Sequence, residues 1–162
     1  MIRAAVITVS DKGSRGERED LSGPEAVRLL EAQSIEVACT LVVPDEPDRI
    51  IAALIDCSDR LGLDLIITTG GTGVTPRDVT PDATREVLEK EIPGMAEAMR
   101  QASMAKTPHA MISRALAGLR GRTLIINLPG SPKGVRENLA VVLPAIPHAI
   151  EKIQGSDADC AS

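Results

Sequence analysis

The sequence predicts an α/β fold, a single domain on a doubly wound, mostly parallel sheet with helices on both faces. Two observations point to it. Short apolar runs alternate with segments of helical period along the chain. Three of those runs leave into polar or glycine-bearing loops at residues 10–16, 70–78 and 129–133, and in a doubly wound sheet such exits gather at the carboxyl edge, where ligands bind. A length of 162 residues, 43% of them apolar, suits one core.

Residues 3–9 (Arg-Ala-Ala-Val-Ile-Thr-Val) read as a buried strand, followed by a polar loop over 10–16. Ser22 and Glu25 in Ser-Gly-Pro-Glu form a capping box that opens a helix burying Ala26, Val27, Leu29 and Leu30. Ile35, Val37, Cys39, Leu41 and Val43 recur at strand period up to Pro44. A helix then starts between Asp45 and Asp48, with Ile50, Leu54, Cys57 and Leu61 on one face. Leu65, Ile66 and Ile67 make a short run suited to a buried parallel strand. After the glycine loop, Thr80 caps and Pro81 begins a helix over 81–91, stopped by Pro93-Gly94. Residues 94–105 form another helix, with Met95, Met99 and Met104 near one face, a stripe suited to core or subunit interface. The last strand covers 124–128. Helical pattern resumes over 133–143 and is broken by Pro144 and Pro147; the domain closes near residue 154, and the tail 155–162 reads as disordered.

The chain has no Phe, Tyr or Trp, so its core is aliphatic and a bound heterocycle cannot stack on an aromatic ring of its own subunit. Without stacking platforms, and at a net charge of −5, nucleic acid is set aside as a partner. No stretch approaches the length that spans a bilayer, and the N-terminal run is too short and strand-like for a signal peptide, so a cytoplasmic protein is expected. Cys39, Cys57 and Cys160 have no metal-ligand spacing and fit reduced thiols.

The chemistry concentrates between Asp64 and Thr84. Gly70, Gly71 and Gly73 around Thr72 permit positive φ and close approach of a ligand to the backbone, and the helix start at Thr80-Pro81 adds unpaired N–H groups and a positive dipole end. Arg77 and Asp78 add one cation and one carboxylate. Together these parts equip phosphoryl or nucleotidyl transfer with a metal ion, although Asp78 could instead pair with Arg77 or cap a helix. Mg²⁺ is usually held by one or two carboxylates plus substrate phosphates; Asp45 is the best second carboxylate, with a helix cap as its alternative, and Asp11 is the third choice. Lys133, at the helix start after Ser131-Pro132, could meet phosphates or remain solvated. His109 and His148 lack partners at telling spacing and read as structural, and no catalytic triad, P-loop or dinucleotide fingerprint is present.

The segments Thr-Thr-Gly-Gly-Thr-Gly, Pro-Arg-Asp-Val-Thr-Pro-Asp-Ala-Thr and Leu-Ile-Ile-Asn-Leu-Pro-Gly-Ser-Pro-Lys resemble the molybdopterin adenylyltransferase family, which includes the G domain of gephyrin. The resemblance covers nearly the whole chain. It implies a three-layer α/β/α sandwich, a homotrimer, and Mg²⁺-dependent transfer of AMP from ATP to the terminal phosphate of molybdopterin, the product passing to a molybdenum-insertion enzyme. It implies Asp45 and Asp78 as the two required aspartates. It also implies phosphate or nucleotide contacts from the glycine loop and from Pro129, Gly130 and Ser131, with Ser103 on the pterin side. Ser10, Asp11, Arg77 and Lys133 join the phosphate group and Thr69 the pterin group. The alternative is a molybdopterin-binding protein of the same fold without adenylyl transfer.

Overall fold

The computed structural model describes residues 1–156, so the expectations for 157–162, Cys160 among them, lie outside the described residues. Strand β1 (Arg3–Val9) is followed by a single-turn helix α1 (Asp11–Ser14), helix α2 (Ser22–Glu31) and strand β2 (Glu36–Val43). Helix α3 (Pro47–Ile55) runs on into a π-helical turn (Asp56–Arg60), then strand β3 (Leu65–Thr69) and helix α4 (Thr80–Val87). Strand β4 (Lys90–Glu91), helix α5 (Pro93–Met104) and a 3₁₀ turn (Pro108–Ile112) lead to strands β5 (Ala117–Arg120) and β6 (Thr123–Leu128). Helix α6 (Pro132–Val142), a 3₁₀ turn (Leu143–Ala145) and helix α7 (Ile146–Ile153) close the chain.

The sheet order is β2-β1-β3-β6-β5-β4. Neighbours from β2 to β6 are parallel, whereas β5 and β4 pair antiparallel at one edge. Helices cover both faces. On one, Val6, Leu65, Ile67, Leu124 and Ile126 pack with Leu30 of α2, Met99 of α5, Leu139 of α6 and Ile150 of α7. On the other, Ile7, Ile66 and Ile125 pack with Ile50 and Leu54 of α3, Cys57 of the π-helical turn and Val87 of α4. The three-layer single domain is the expected one. Strands β1, β3 and β6 are buried on both faces, which is why apolar residues run consecutively in them, over 4–7, 65–67 and 124–126, rather than alternating.

Several local expectations are corrected. Residues 10–16 are not plain loop: Ser10 Oγ accepts from Gly13 N at 3.0 Å and caps α1. The Ser22/Glu25 box does not form; Ser22 Oγ turns to Thr69 Oγ1 at 2.9 Å, Glu25 pairs with Arg28, and Asp20 accepts from Gly23 N instead. Thr80 is the first residue of α4 rather than its cap. That helix ends at Val87, not 91, because Leu88 turns extended and Lys90–Glu91 pair with β5. Strand β5 has no counterpart among the sequence expectations. The break at Pro144 and Pro147 is present, since α6 ends at Val142, but helical structure resumes: each proline sits in the first turn of a new helical element, where a missing N–H costs nothing. Gly155 and Ser156 continue the α7 terminus, with Ser156 N donating to Glu151 O at 3.0 Å. Of the methionine stripe, Met95 and Met99 are buried, and Met104 is 45% exposed.

At the carboxyl end of β6, buried Asn127 ties three elements together. Its Nδ2 donates to Thr68 Oγ1 at 2.9 Å and to Thr84 Oγ1 at 3.0 Å, and its Oδ1 accepts from Leu116 N at 3.1 Å. An apolar residue of similar size leaves the Leu116 N–H without a partner. Asn127→Leu should therefore lower the free energy of unfolding by about 3 kcal/mol, read from urea titrations.

Candidate active site

The site grows from the topology. β1 leads outward to β2 and β3 leads the other way, so the sheet reverses direction between β1 and β3, and a crevice opens where their carboxyl ends part. Gly70 lies there at φ 94, where a Cβ would run into the carbonyl oxygen of Val9, and a Cβ on Gly130 would stand 3.1 Å from the Gly70 Cα. The exits of β1, β3 and β6 thus touch through their backbones. Gly71, also at positive φ, would press a Cβ onto Thr80 Oγ1 and bring it 3.1 Å from Asp45 Oδ1. These two glycines are required by close approach as well as by φ.

A cleft of about 480 Å³ occupies this crevice. Its walls bring together Ser10, Asp45, Thr69, Gly70, Gly71, Asp78, Gly130 and Ser131. Helices α2 and α6 begin at its rim with Ser22 and Pro132, and Ser131 Oγ caps α6 by accepting from Gly134 N at 3.0 Å. Their positive dipole ends favour an anion.

The carboxylates sit unequally. Asp45 and Asp11 bond reciprocally, Asp11 N to Asp45 Oδ2 at 2.8 Å and Asp45 N to Asp11 Oδ1 at 3.0 Å. Burial pushes the Asp45 carboxyl up from the usual range, and the charges of Asp11 and Asp78 add to that against the opposing Asp11 N–H. Arg77 grips Asp11 through Nε at 3.0 Å and NH2 at 2.9 Å, which holds the Asp11 carboxyl below its usual range. Arg77 is therefore not paired with its neighbour Asp78, and neither Arg77 nor Asp11 lines the cleft. Arg77 joins the β3 loop to the β1 loop behind Asp45. Asp78 Oδ2 accepts from Thr75 N at 3.0 Å.

A second cleft of about 390 Å³ lies beyond the same glycine loop. Thr72, Gly73, Pro129, Lys133 and Ser103 line it, and Ser131 borders both clefts. The phosphate-group candidates are thus divided between two compartments, and Thr69 stands with the first rather than with Ser103. Ser103 Oγ reaches Asn138 Oδ1 at 3.3 Å. Lys133 is exposed, with its Nζ 4.0 Å from Glu137. His109, expected to be structural, lines this second cleft from the 3₁₀ turn, and Arg100 lines it from α5 while donating to the carbonyls of Ser113 and Ala115.

Sequence reasoning missed Asp20 and the Thr80 hydroxyl. Asp20 lines the first cleft and accepts from Thr8 Oγ1 at 2.7 Å; the Asp-x-Ser-Gly start of α2 was the available signal. Thr80 Oγ1 is fully buried beside Gly71 and has no hydrogen-bond partner. Such an orphan is costly inside a protein. Two carboxylates and a hydroxyl facing a glycine loop are hard oxygen donors, the set that suits Mg²⁺ rather than a soft metal. Among the described residues no three His, Cys, Asp or Glu side chains form a ready metal cage. No helix among them is long and apolar enough to cross a membrane.

The family described as "Probable molybdopterin binding domain" matches residues 5–148. The molybdopterin adenylyltransferase of Helicobacter pylori strain J99 is 43% identical over 157 residues, covering 96% of this chain and 89% of that protein. Gephyrin of Dictyostelium discoideum is 49% identical over 155 residues and 90% of this chain, which spans 21% of gephyrin's length. The solved molybdopterin biosynthesis enzyme MoaB of Thermus thermophilus superposes with a TM-score of 0.91 at 54% identity, covering 96% of this chain and 98% of the other.

The crowding at Gly70 makes a direct test. Gly70→Ala combines positive-φ strain with backbone overlap and should cost about 3 kcal/mol of stability. Gly62→Ala, at φ 61 with open space around the new methyl, should cost about 1 kcal/mol by the same urea assay.

Proposed function

The chain belongs to the molybdopterin-binding-domain family, and on that premise we propose that it transfers AMP from ATP to the terminal phosphate of molybdopterin, releasing pyrophosphate. The observation that carries this reading is the meeting of Asp45, Asp78 and the unpartnered Thr80 hydroxyl around Gly71–Gly73 at the point where the sheet reverses.

In this reaction an oxygen of the molybdopterin phosphate attacks the α-phosphorus of ATP. The new P–O bond forms as the bond to the β-phosphate oxygen breaks, and pyrophosphate leaves with the electron pair. No protein nucleophile is needed. The protein's part is to align two anionic reactants and to offset their charge. The cleft beside Ser10, Gly70 and Ser131 receives the triphosphate, with the α2 and α6 N-termini turned toward it. The second cleft beside Ser103 and Asn138 receives the pterin, and its aliphatic and cationic lining fits a ring that carries a phosphate. The loop between them places the two phosphates at one junction.

Asp45 and Asp78 would hold Mg²⁺, with Thr80 Oγ1 close behind. Bound there, the ion would neutralise charge on the α- and β-phosphates. Asp11 keeps Asp45 oriented from behind through the reciprocal backbone bonds, and Arg77 holds Asp11 ionised for that task.

The homotrimer and the hand-over of adenylylated product to a molybdenum-insertion enzyme are further parts of this reading. The exposed apolar side chains Val74, Met111 and Ile112 near the site offer contact surface for such neighbours. A cytoplasmic setting accords with an ATP-using enzyme that has free thiols at Cys39 and Cys57.

The test mixes the purified chain with Mg²⁺, ATP and molybdopterin and follows pyrophosphate. Release should depend on the pterin, and Asp78→Asn should lower kcat at least about 1,000-fold while shifting the pterin Kd less than about 3-fold. Pterin binding without pyrophosphate from the unaltered chain would move the protein to the binding-only alternative.

A further inference from the structure

The loop that carries Asp78 is tied to the β1 loop by Arg77, and one side chain from later in the chain fastens it at both ends. Arg114 stands between the 3₁₀ turn and β5. Its Nε donates to the carbonyl of Gly73 at 2.7 Å and its NH2 to the carbonyl of Asp78 at 2.5 Å. The backbone N of Arg114 donates to the carbonyl of Thr72 at 2.8 Å. Between the anchors the loop closes on itself, Thr75 N donating to Asp78 Oδ2 and Asp78 N to Thr75 O, both at 3.0 Å. Residues 73–78 are therefore a small ring whose two ends are held by one guanidinium.

We propose that Arg114 is the positioning residue for Asp78: it fixes the loop that presents this carboxylate to the phosphate cleft, and it ties that loop to the wall of the second cleft. The proposal rests on the adenylyl-transfer reading for its catalytic consequence. The neighbours of Arg114, Ser113 and Ala115, line the second cleft together with Thr72 and Gly73. Arg114 lines neither cleft itself, but its bonds link the loop bearing Asp78 to the segment that walls the second cleft. A planar guanidinium suits the task, because its fixed fork reaches two carbonyls at once, which an ammonium on a flexible stem cannot reproduce.

Arg114 also pairs with Asp82, its NH1 and NH2 lying 3.0–3.1 Å from the carboxylate oxygens. That contact does not carry the role. The Arg114 side chain is 37% exposed and that of Asp82 51%, so water screens the pair, and Asp82→Asn separates its contribution from that of the carbonyl bonds. The bonds to backbone carbonyls are the ones that constrain the loop.

The experiment compares Arg114→Lys, Arg114→Ala and Asp82→Asn in the full chain by three readouts. The first is amide hydrogen exchange over residues 73–78 in the ligand-free protein, the second kcat for AMP transfer, and the third the pterin Kd. Both Arg114 variants should speed exchange in that segment at least about 10-fold over its surroundings. They should lower kcat at least about 100-fold and shift the pterin Kd less than about 3-fold. Asp82→Asn should leave all three within about 3-fold. Unchanged exchange in Arg114→Lys, or an Asp82→Asn variant as impaired as Arg114→Ala, would overturn the proposal. If Arg114→Ala does not fold, Arg114→Lys decides. An unaltered chain that never releases pyrophosphate would instead refute the adenylyl-transfer reading, and the exchange measurement would still decide whether Arg114 holds the loop.

Discussion

The approach of three chain segments at Gly70 governs the rest of the molecule. The carbonyl of Val9, the Cα of Gly130 and the turn after Thr69 meet at a spacing that leaves no room for a side chain. The contact exists because β1, β3 and β6 lie adjacent and in parallel, so their exits emerge side by side. Any larger residue would push those exits apart and open the floor of the cleft. The buried apolar side chains behind it hold the strands in register against that pressure. Fold and site are thus one structure at this point.

Around that floor the chain accumulates like charges. Asp20, Asp45 and Asp78 line the first cleft with Glu19 against the cation Arg18, and Asp11 stands behind Asp45 in the grip of Arg77. Half-buried Asp45 faces desolvation and the charges of Asp11 and Asp78, and the Asp11 backbone N–H is the main contact that offsets them. Such an arrangement costs stability and makes sense where a cation and phosphates complete the charge balance. The second cleft has the opposite character, with Arg100, Lys106 and Lys133 set against Glu137. One glycine loop divides an acidic compartment from a basic one.

What the sequence disclosed and what it hid follow from range. Buried strands such as 65–69 and 123–128 declare themselves because both faces are apolar, and the glycine loop because Gly is locally required. Asp45 follows directly on β2, and Asp78 lies in the loop between β3 and α4, so the sequence could place both at the carboxyl edge. The capping box fails because the Ser22 hydroxyl finds Thr69, 47 residues away, a partner no local window contains. Strand β5 is hidden because Ala-Gly-Leu-Arg has no strand period; its pairing with β6 and the Leu116–Asn127 bond define it. The helix after Thr80 reads too long because Glu89, Lys90 and Glu91 tolerate helix, and the edge pairing with β5 wins. Sequence adjacency suggests a pair between Arg77 and Asp78, whereas the fold brings Arg77 to Asp11, 66 residues away.

The order of the sheet leaves its two borders unlike. One border is β4, two residues long, exposed and charged as Lys90 and Glu91, a poor template for another strand. The other is β2, eight residues long with alternate positions open to solvent. A sheet blunted on one side can accept a foreign strand at β2, but the joined pair then presents no second long border. Strand addition terminates after one event, so this aromatic-free, apolar-rich chain is guarded by topology against the endless edge-to-edge growth that builds fibrils.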